Sequence, residues 1–400
     1  MKENIVISIR KEYIIQCNLT LKIEKAIGNW RKILDAKALN KQIADFHFKM
    51  HDQNEVKQTI RPGDWSTSLD LSSAFHHLII HSESQPYLAF EFLNNHYKYR
   101  AMLFGIKRSP IYFATTMEPI RQQIRMKTEI RIINSVDDIF LLHRNKEYVK
   151  NMFQKVMETL KFFEITTNTE KNKIDPKQTV IFVGYEWNLI KATVETKPNK
   201  RLLLLHDLYN SGGWTKTGTE ITVKQSVKLI GKLNYLRLQF QQISLSLNTI
   251  EDQKSQAARL KCRNTTMIIN ITAIPDRNWL ITKLRVSISA QLVQIAPQMT
   301  MTTDAAPSGS DSTQEKEPEM TAMAYGTWNK REARLTNYNR EIKAITQSLR
   351  SFAKVLKGAR NQCFAIRNDN SITDFDIKKC KATITLKKEI KYFHQTIEKL

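Results

Sequence analysis

The sequence predicts an α+β fold, and three observations carry that expectation. Strand-like and helical stretches follow one another as strand-helix, hairpin-helix, hairpin, helix, strand, an order that suits α+β better than a doubly wound sheet. Two runs rich in aromatic and apolar residues, Tyr87 to Phe92 and Tyr97 to Leu103, flank Asn94-Asn95 in the manner of a hairpin. Helical periodicity is confined to separate segments, such as Lys146 to Phe163, where Val149, Phe153, Val156 and Leu160 share one face.

The elements follow in order. Asn29 to Ile43 pairs a basic, strand-like run with a helical or loop segment, and Pro62-Gly63-Asp64 marks a turn. WSTSLDLSSAFHHLIIH then passes from an apolar run at Leu69 into a short helix. Ser109-Pro110 opens a helix carrying Phe113, Met117 and Ile120 at three- and four-residue intervals. Ile130 to His143 holds two apolar strand-like runs interrupted by an acidic pair. Asn172 to Thr179 is polar and lysine-rich, and Thr179 to Trp187 is strand-like. From Leu202 the chain turns more helical, with Val227, Ile230, Leu233 and Leu236 at helical spacing inside Val223 to Phe240. Pro297 to Met320 is polar and, taken alone, reads as a flexible loop or linker. A helix over Asn339 to Leu356, a strand-like Cys363 to Arg367 and a lysine-rich end complete the pattern.

At 400 residues the chain is long enough for two or three domains. No run approaches a membrane span, and the first residues lack a signal-peptide core. Cys17, Cys262, Cys363 and Cys380 are scattered without a CxxC pair. They imply an intracellular setting, cytoplasmic or nuclear, and neither a disulfide framework nor a zinc site. Sixty-two Lys and Arg against 39 Asp and Glu leave a net charge of +23. Self-repulsion of that size favours a polyanionic partner, nucleic acid first, although a lysine-rich genome raises the same number.

The most informative residues are acidic. Asp137-Asp138 interrupts apolar sequence, where unpaired buried charge is costly. An exposed tight turn between two strands is one reading of the pair. Asp70, at the end of another apolar run, opens the other: carboxylates at two neighbouring strand ends can hold two Mg²⁺ or Mn²⁺ ions about 4 Å apart.

Five ordered motifs resemble those of retroelement reverse transcriptases. Asp70-Leu71-Ser72-Ser73-Ala74-Phe75 is similar to the first palm motif, and Leu103 to Pro110 with Phe113 to the second. Val136-Asp137-Asp138 is similar to the paired-aspartate motif, Asn168-Thr169-Glu170-Lys171 to the lysine-bearing segment, and Phe182-Val183-Gly184 to the primer-grip hairpin. Upstream, Trp30 to Asp35 with Leu39-Asn40 resembles the fingers segment. The wording of these blocks is most like DIRS-type retrotransposons, then gypsy-like LTR elements. The resemblance implies a right-hand polymerase of fingers, palm and thumb that adds dNTPs to a primer 3′-hydroxyl on a primer-template RNA/DNA duplex. Asp70, Asp137 and Asp138 would be the catalytic, metal-holding carboxylates. Arg31, Lys25 and Lys171 would lie at the triphosphate, Phe75 beneath the sugar, and Gly105 where backbone approaches a base pair. Ser135 departs from the pattern, which has an aromatic residue at that place. That departure keeps open a catalytically impaired, nucleic-acid-binding relic.

The tail resembles an RNase H domain in three short pieces: Thr302 to Ala305, Asn339-Arg340-Glu341 with Ala344, and Arg367 to Asn370. Asp304, Glu341 and Asp369 would share divalent ions there, with Gly326 and Trp328 in the second or third strand. Asp374 and Asp376 are read as lying at a helix start. The expected domains are fingers and palm over 1–190, thumb and connection over 191–296, and an RNase H-like α/β domain, whole or truncated, over 297–400. Lys191 to Lys200, Lys224, Lys228 and Lys232 are candidate phosphate contacts, and no membrane partner is expected.

Overall fold

The computed structural model describes residues 5–24, 30–46, 48, 53–212, 220–240, 242–260, 266–268, 273–286, 288–292, 299–316, 319–353, 364–370, 377 and 384–399. The chain forms two compact units, Met1–Thr193 and Val194–Leu400.

The first unit opens with strand β1 (Val6–Ser8), strands β2 (Thr20–Glu24) and β3 (Trp30–Leu34), and two short helices, α1 (Lys37–Gln42) and α2 (Gln53–Thr59). β2 and β3 pair antiparallel. β4 (Trp65–Asp70) follows the turn at Gly63, whose φ is +83°. β5 (Ala89–Phe92) and β6 (Asn95–Tyr99) form the expected hairpin; its two turn residues are Leu93 and Asn94, both at positive φ. Helix α3 (Ser109–Lys127) has Pro110 in its first turn, where a missing N–H costs nothing. β7 (Arg131–Ser135), β8 (Asp138–His143), helix α4 (Lys146–Phe162) and strands β9 (Lys173–Lys177), β10 (Thr179–Phe182) and β11 (Tyr185–Asn188) complete the unit.

The sheet that matters for the site runs β7-β8-β4-β9. β8 lies inside it, and Ile139, Phe140, Leu141 and Leu142 are all buried, which explains an unbroken apolar run in place of an alternating one. Ile139 and Leu141 join a core that includes Leu69, Phe113, Met117, Val149, Phe153, Val156 and Leu160. The other side of β8 is covered too: Phe140 stacks on Phe182 of β10 at 4.7 Å between centroids. β9 carries three charged residues and Pro176, a composition suited to the edge that it forms beside β4.

β10 and β11 form a hairpin where the sequence reads as one strand-like run. Phe182 pairs with Tyr185, and the turn residues Val183 and Gly184 have φ of +48° and +81°. Positive φ at both central residues is the signature of a type I′ turn. Glycine meets that demand freely, whereas valine, branched at Cβ, is strained there.

A short strand, β12 (Thr193–Thr196), crosses the boundary between the units. The second unit continues with helix α5 (Pro198–Asn210), strand β13 (Glu220–Thr222), helices α6 (Val223–Asn234) and α7 (Ile243–Leu260), strand β14 (Thr266–Ile268), helix α8 (Ile274–Val286) and the two-residue β15 (Ala290–Gln291). A capping box between Thr222 and Gln225 starts α6. Its buried face runs through Val223, Ser226, Leu229, Ile230 and Leu233, whereas Val227 is exposed, so the inward stripe is rotated from the one its apolar residues suggest.

The larger correction concerns 297–320. β16 (Met299–Ala305), β17 (Gly309–Lys316) and β18 (Glu319–Thr327) form an antiparallel meander through this polar stretch, and β19 (Phe364–Asn368) joins β16 in parallel. Helix α9 (Asn337–Ser351) packs Ile345 and Leu349 into a core with Met299 and Met301, and α10 (Ile384–Lys399) contributes Phe393. The inner positions of β17 hold polar residues in place of large apolar ones, and they bond to the neighbouring strands: Ser312 donates to the carbonyl of Ala324, and Gln314 Nε2 to the sulfur of Met299.

The strain at Val183 has a measurable consequence. Val183→Asn creates the Asn-Gly pair that type I′ turns favour. It is expected to raise unfolding stability by about 1 kcal/mol, the scale of the left-handed penalty, read as a higher urea midpoint with unchanged slope.

Candidate functional site

Asp70 and Asp138 face each other across the sheet. β4 and β8 run antiparallel with Trp65 opposite His143 and Asp70 opposite Asp138, so the two carboxylates come from directly paired backbone positions. The β7–β8 hairpin closes with Ser135 paired to Asp138, leaving Val136 and Asp137 as its two turn residues. Val136 has a φ of +53°, a conformation where glycine is usual and a branched side chain is strained. Hydrogen bonds hold that strain in place: Asn134 donates from Nδ2 to the carbonyl of Val136 at 3.0 Å, and Leu71 N–H donates to the carbonyl of Asp137 at 2.6 Å. The second bond ties the chain after Asp70 to the tip of the hairpin.

The 166–172 loop secures the same strand end. Asn168 N–H donates to the carbonyl of Asp70 at 2.7 Å, and Asp70 N–H donates to Asn172 Oδ1 at 3.0 Å. This placement brings Lys171 onto Asp70, with Nζ 3.3 and 3.4 Å from the two carboxylate oxygens. Partial desolvation raises the pKa of Asp138 most, the charge of Asp70 raises it further, and Lys171 and Lys173 oppose both. The charge of Asp70 on the paired strand end therefore disfavours ionisation of Asp138, and the nearby lysines offset part of that cost.

The other expected site residues are placed unevenly. Phe75 lies in the core, only 3% exposed, with its ring against Phe104 and Phe113. A ring so covered makes core contacts first; the surface beneath a sugar that the resemblance implies is not open in this arrangement. Gly105 has a φ of +101°, and its carbonyl accepts from Asn40 Nδ2 at 2.7 Å, while Asn40 Oδ1 accepts from Lys107 N–H at 2.8 Å. Asn40 thus clamps the 103–108 loop from both sides. Phe182 is buried, and Val183-Gly184 forms the hairpin tip beyond it. Lys25 lies outside the described residues; Arg31 is in β3, and its side chain lies outside them too. The hold of Asn134 and Asn172 on the acidic strand ends is not visible in the sequence, because neither side chain carries a local sign of the strand end it will meet; Asn168, part of the lysine-bearing segment, acts there through its backbone N–H.

A second acidic group sits in the second unit. Asp304 at the end of β16, Glu341 on α9 and Asp369 after β19 bring ligand oxygens within 4.8 Å of one another. The parallel register, with Thr303 opposite Asn368, ends the two strands side by side and sets the flanking aspartates together. Asn368 Nδ2 donates to Glu341 Oε2 at 2.7 Å. Burial raises the pKa of Glu341 most; Asp369 and Asp304 add to that rise, and the Asn368 bond and Arg340 oppose it. Three hard oxygen donors that repel one another suit a divalent cation. Among the described residues this is the one such group of three; Asp70, Asp137 and Asp138 do not converge as tightly. Asp374 and Asp376 lie outside the described residues.

Residues 23–187 match the family described as "Reverse transcriptase (RNA-dependent DNA polymerase)". The enzymatic polyprotein of Cauliflower mosaic virus (strain NY8153) is 28% identical over 124 residues, 31% of this chain and 18% of that protein. The genome polyprotein of Petunia vein clearing virus (isolate Shepherd) is 22% identical over 246 residues, 61% of this chain and 11% of that one. The Transposon Tf2-3 polyprotein of Schizosaccharomyces pombe is 26% identical over 178 residues, 44% and 13% of the two chains. This chain therefore spans less than a fifth of each of these relatives. Among solved structures, a foamy viral protease-reverse transcriptase in complex with dsDNA superposes with a TM-score of 0.60 at 16% identity, over 98% of this chain and 78% of that one. The same kind of protein in complex with an RNA/DNA hybrid gives 0.57 at 15% identity, over 98% and 50%. The fold is thus that of reverse transcriptase fingers, palm and thumb followed by an RNase H-like domain. The match is to retroelement-type reverse transcriptases as a class and does not single out a DIRS-type or gypsy-like source. No helix among the described residues is long and apolar enough to cross a membrane.

Glu341 gives a test by pH. Its folded pKa is raised, so the folded state holds its proton more tightly than the unfolded chain, and this group's contribution to stability falls as pH rises from about 4.3 through the folded value. Without divalent ions, Glu341→Gln is expected to melt higher than the parent at pH 7. The gap should close below about pH 4, where both forms are neutral; thermal melts across that range read it.

Proposed function

We propose that this chain is an RNA-directed DNA polymerase that adds dNTPs to a primer 3′-hydroxyl, with a ribonuclease site for RNA–DNA hybrids in its second unit. The observation that carries the reading is the register that sets Asp70 opposite Asp138, with Asp137 in the adjoining turn. Bound Mg²⁺ or Mn²⁺ would make the hydroxyl more acidic and stabilise charge on the leaving pyrophosphate. This chain's own residues hold the carboxylates on rigid strand ends, through the bonds from Asn134, Leu71 and Asn168. Lys171, whose Nζ lies on Asp70, is assigned to the triphosphate, for which it exchanges that contact. Arg31 and Lys25 are assigned to the triphosphate on the family motif, and Gly105 to the base pair. The hairpin tip at Val183-Gly184 is assigned to the primer end, docked to the catalytic sheet by Phe182 on Phe140. Phe75 is assigned to sugar discrimination, which requires Phe104 to withdraw from its ring.

Fingers and palm then occupy 1–190, thumb and connection 191–296, and the RNase H-like domain 297–400. Asp304, Glu341 and Asp369 hold the ions of the second site, and the excess of basic residues engages the phosphates of a primer-template duplex. A DIRS-type source is favoured by the wording of the FHHLIIH and YRAMLFGIKRSP blocks. A second reading, a folded relic that binds nucleic acid without catalysis, is favoured by Ser135. It is paired directly with Asp138, where the family has an aromatic ring.

Primer extension separates the two. On a primed RNA template with Mg²⁺ or Mn²⁺, the parent chain should incorporate dNTPs, and Asp138→Asn should lower the rate by about 10³-fold or more. That factor corresponds to several kcal/mol of lost charge stabilisation. Duplex binding without incorporation under either metal leaves the relic. On a labelled RNA–DNA hybrid, Asp304→Asn should abolish cleavage while leaving primer extension intact; cleavage that survives the change removes the second site's assignment.

A further inference from the structure

A cavity of about 610 Å³ lies in the first unit, apart from both acidic groups, between helix α1, the 78–88 segment and the start of α3. Its walls are mostly apolar, including Leu39, Ile43, Leu78, Ile80 and Met102. Its volume falls in the range of small-molecule sites, which pair an apolar body with a few polar groups. Among the described residues that line it, none is acidic, and Arg108 is its one permanent cation.

Arg108 is poorly satisfied where it stands. Its Nε is buried without a hydrogen-bond partner, and Nη2 reaches the carbonyl of Ala44 only at 3.5 Å. It also occupies the N-cap of α3 with no side-chain cap on that helix, so the positive end of the helix dipole adds to its own charge. The buried Nε is out of reach of the cavity, but an anion on the outer nitrogens of the guanidinium would partner a charge that now makes one long hydrogen bond, and the apolar walls would cover a hydrocarbon body.

We propose that this cavity binds a long-chain carboxylate, with the head group on Arg108 and the chain along Leu39, Ile80 and Met102. The 103–108 loop that Asn40 clamps forms part of the wall, so occupancy also bears on the position of Gly105. The proposal stands whether or not the chain is a polymerase, because its readout is binding.

The probe is 1-anilinonaphthalene-8-sulfonate, an apolar dye with an anionic group, titrated into the full chain. Saturable fluorescence is expected, displaced by dodecanoate at least tenfold more effectively than by dodecylammonium. Arg108→Met should remove that preference and leave competition by dodecanol unchanged. Thr116→Trp and Leu39→Trp, two independent ways to fill the cavity, should each reduce dye binding at an unchanged melting temperature. Equal displacement by the anionic and cationic chains would overturn the proposal, as would dye binding unaltered in both filled variants. Arg108-dependent sedimentation with phosphatidylglycerol vesicles, but not with phosphatidylcholine vesicles, would replace a free ligand by a lipid surface and so overturn it too.

Discussion

The antiparallel pairing of β4 with β8 is the constraint on which the first site depends. Asp70 and Asp138 are opposite one another because the register places them so. A slip of one residue would turn the faces of β8 over, exchanging Ile139 and Leu141, which pack with Leu69, for Phe140, which stacks on Phe182 on the other side. Burial of Leu69, Ile139 and Leu141, each worth about 1.5–3 kcal/mol, therefore enforces the register. The carboxylates occupy the end of a ladder that hydrophobic packing has already aligned.

Like charges at directly paired positions are unfavourable, and the surrounding structure carries that cost. Lys171 lies on Asp70, and Lys173 moderates Asp138 from the edge strand. The strain of Val136 sits at the same place, held by backbone and asparagine hydrogen bonds. Strain of this kind persists only where neighbouring structure over-determines it. Val183 repeats the arrangement at the tip of the β10–β11 hairpin, which Phe182 anchors against Phe140. Each hairpin tip thus carries one β-branched residue in a conformation it rarely adopts.

The second unit reaches a comparable concentration of acid by a different route. There the parallel pairing of β16 with β19 and the packing of α9 converge three carboxylates, one of them buried. The two sites differ in how charge is balanced. A lysine stands on the first, whereas the second relies on Asn368 and Arg340 against mutual repulsion, which leaves Glu341 inclined to hold a proton.

Much of this was legible in the chain itself. Periodicity located α3 and α4 and their inward faces, because a helix face is set by residues three and four apart. Turn residues located the β5–β6 hairpin, and the acidic positions stood out against apolar sequence. Long-range pairing was legible only where the motif resemblance grouped Asp70 with Asp137 and Asp138, and not in its register. Nothing near Asp70 says that residue 138 will be its partner, that Lys171 will lie upon it, or that Phe104 will cover Phe75. Met299 to Lys316 was misleading locally, since its inner Ser312 and Gln314 find their hydrogen-bond partners on other strands. Local sequence determined which segments became helices and turns and where the acids sat along them. Tertiary structure decided which segments met, because register follows from burying whole faces of the sheet at once, a property that no single segment possesses.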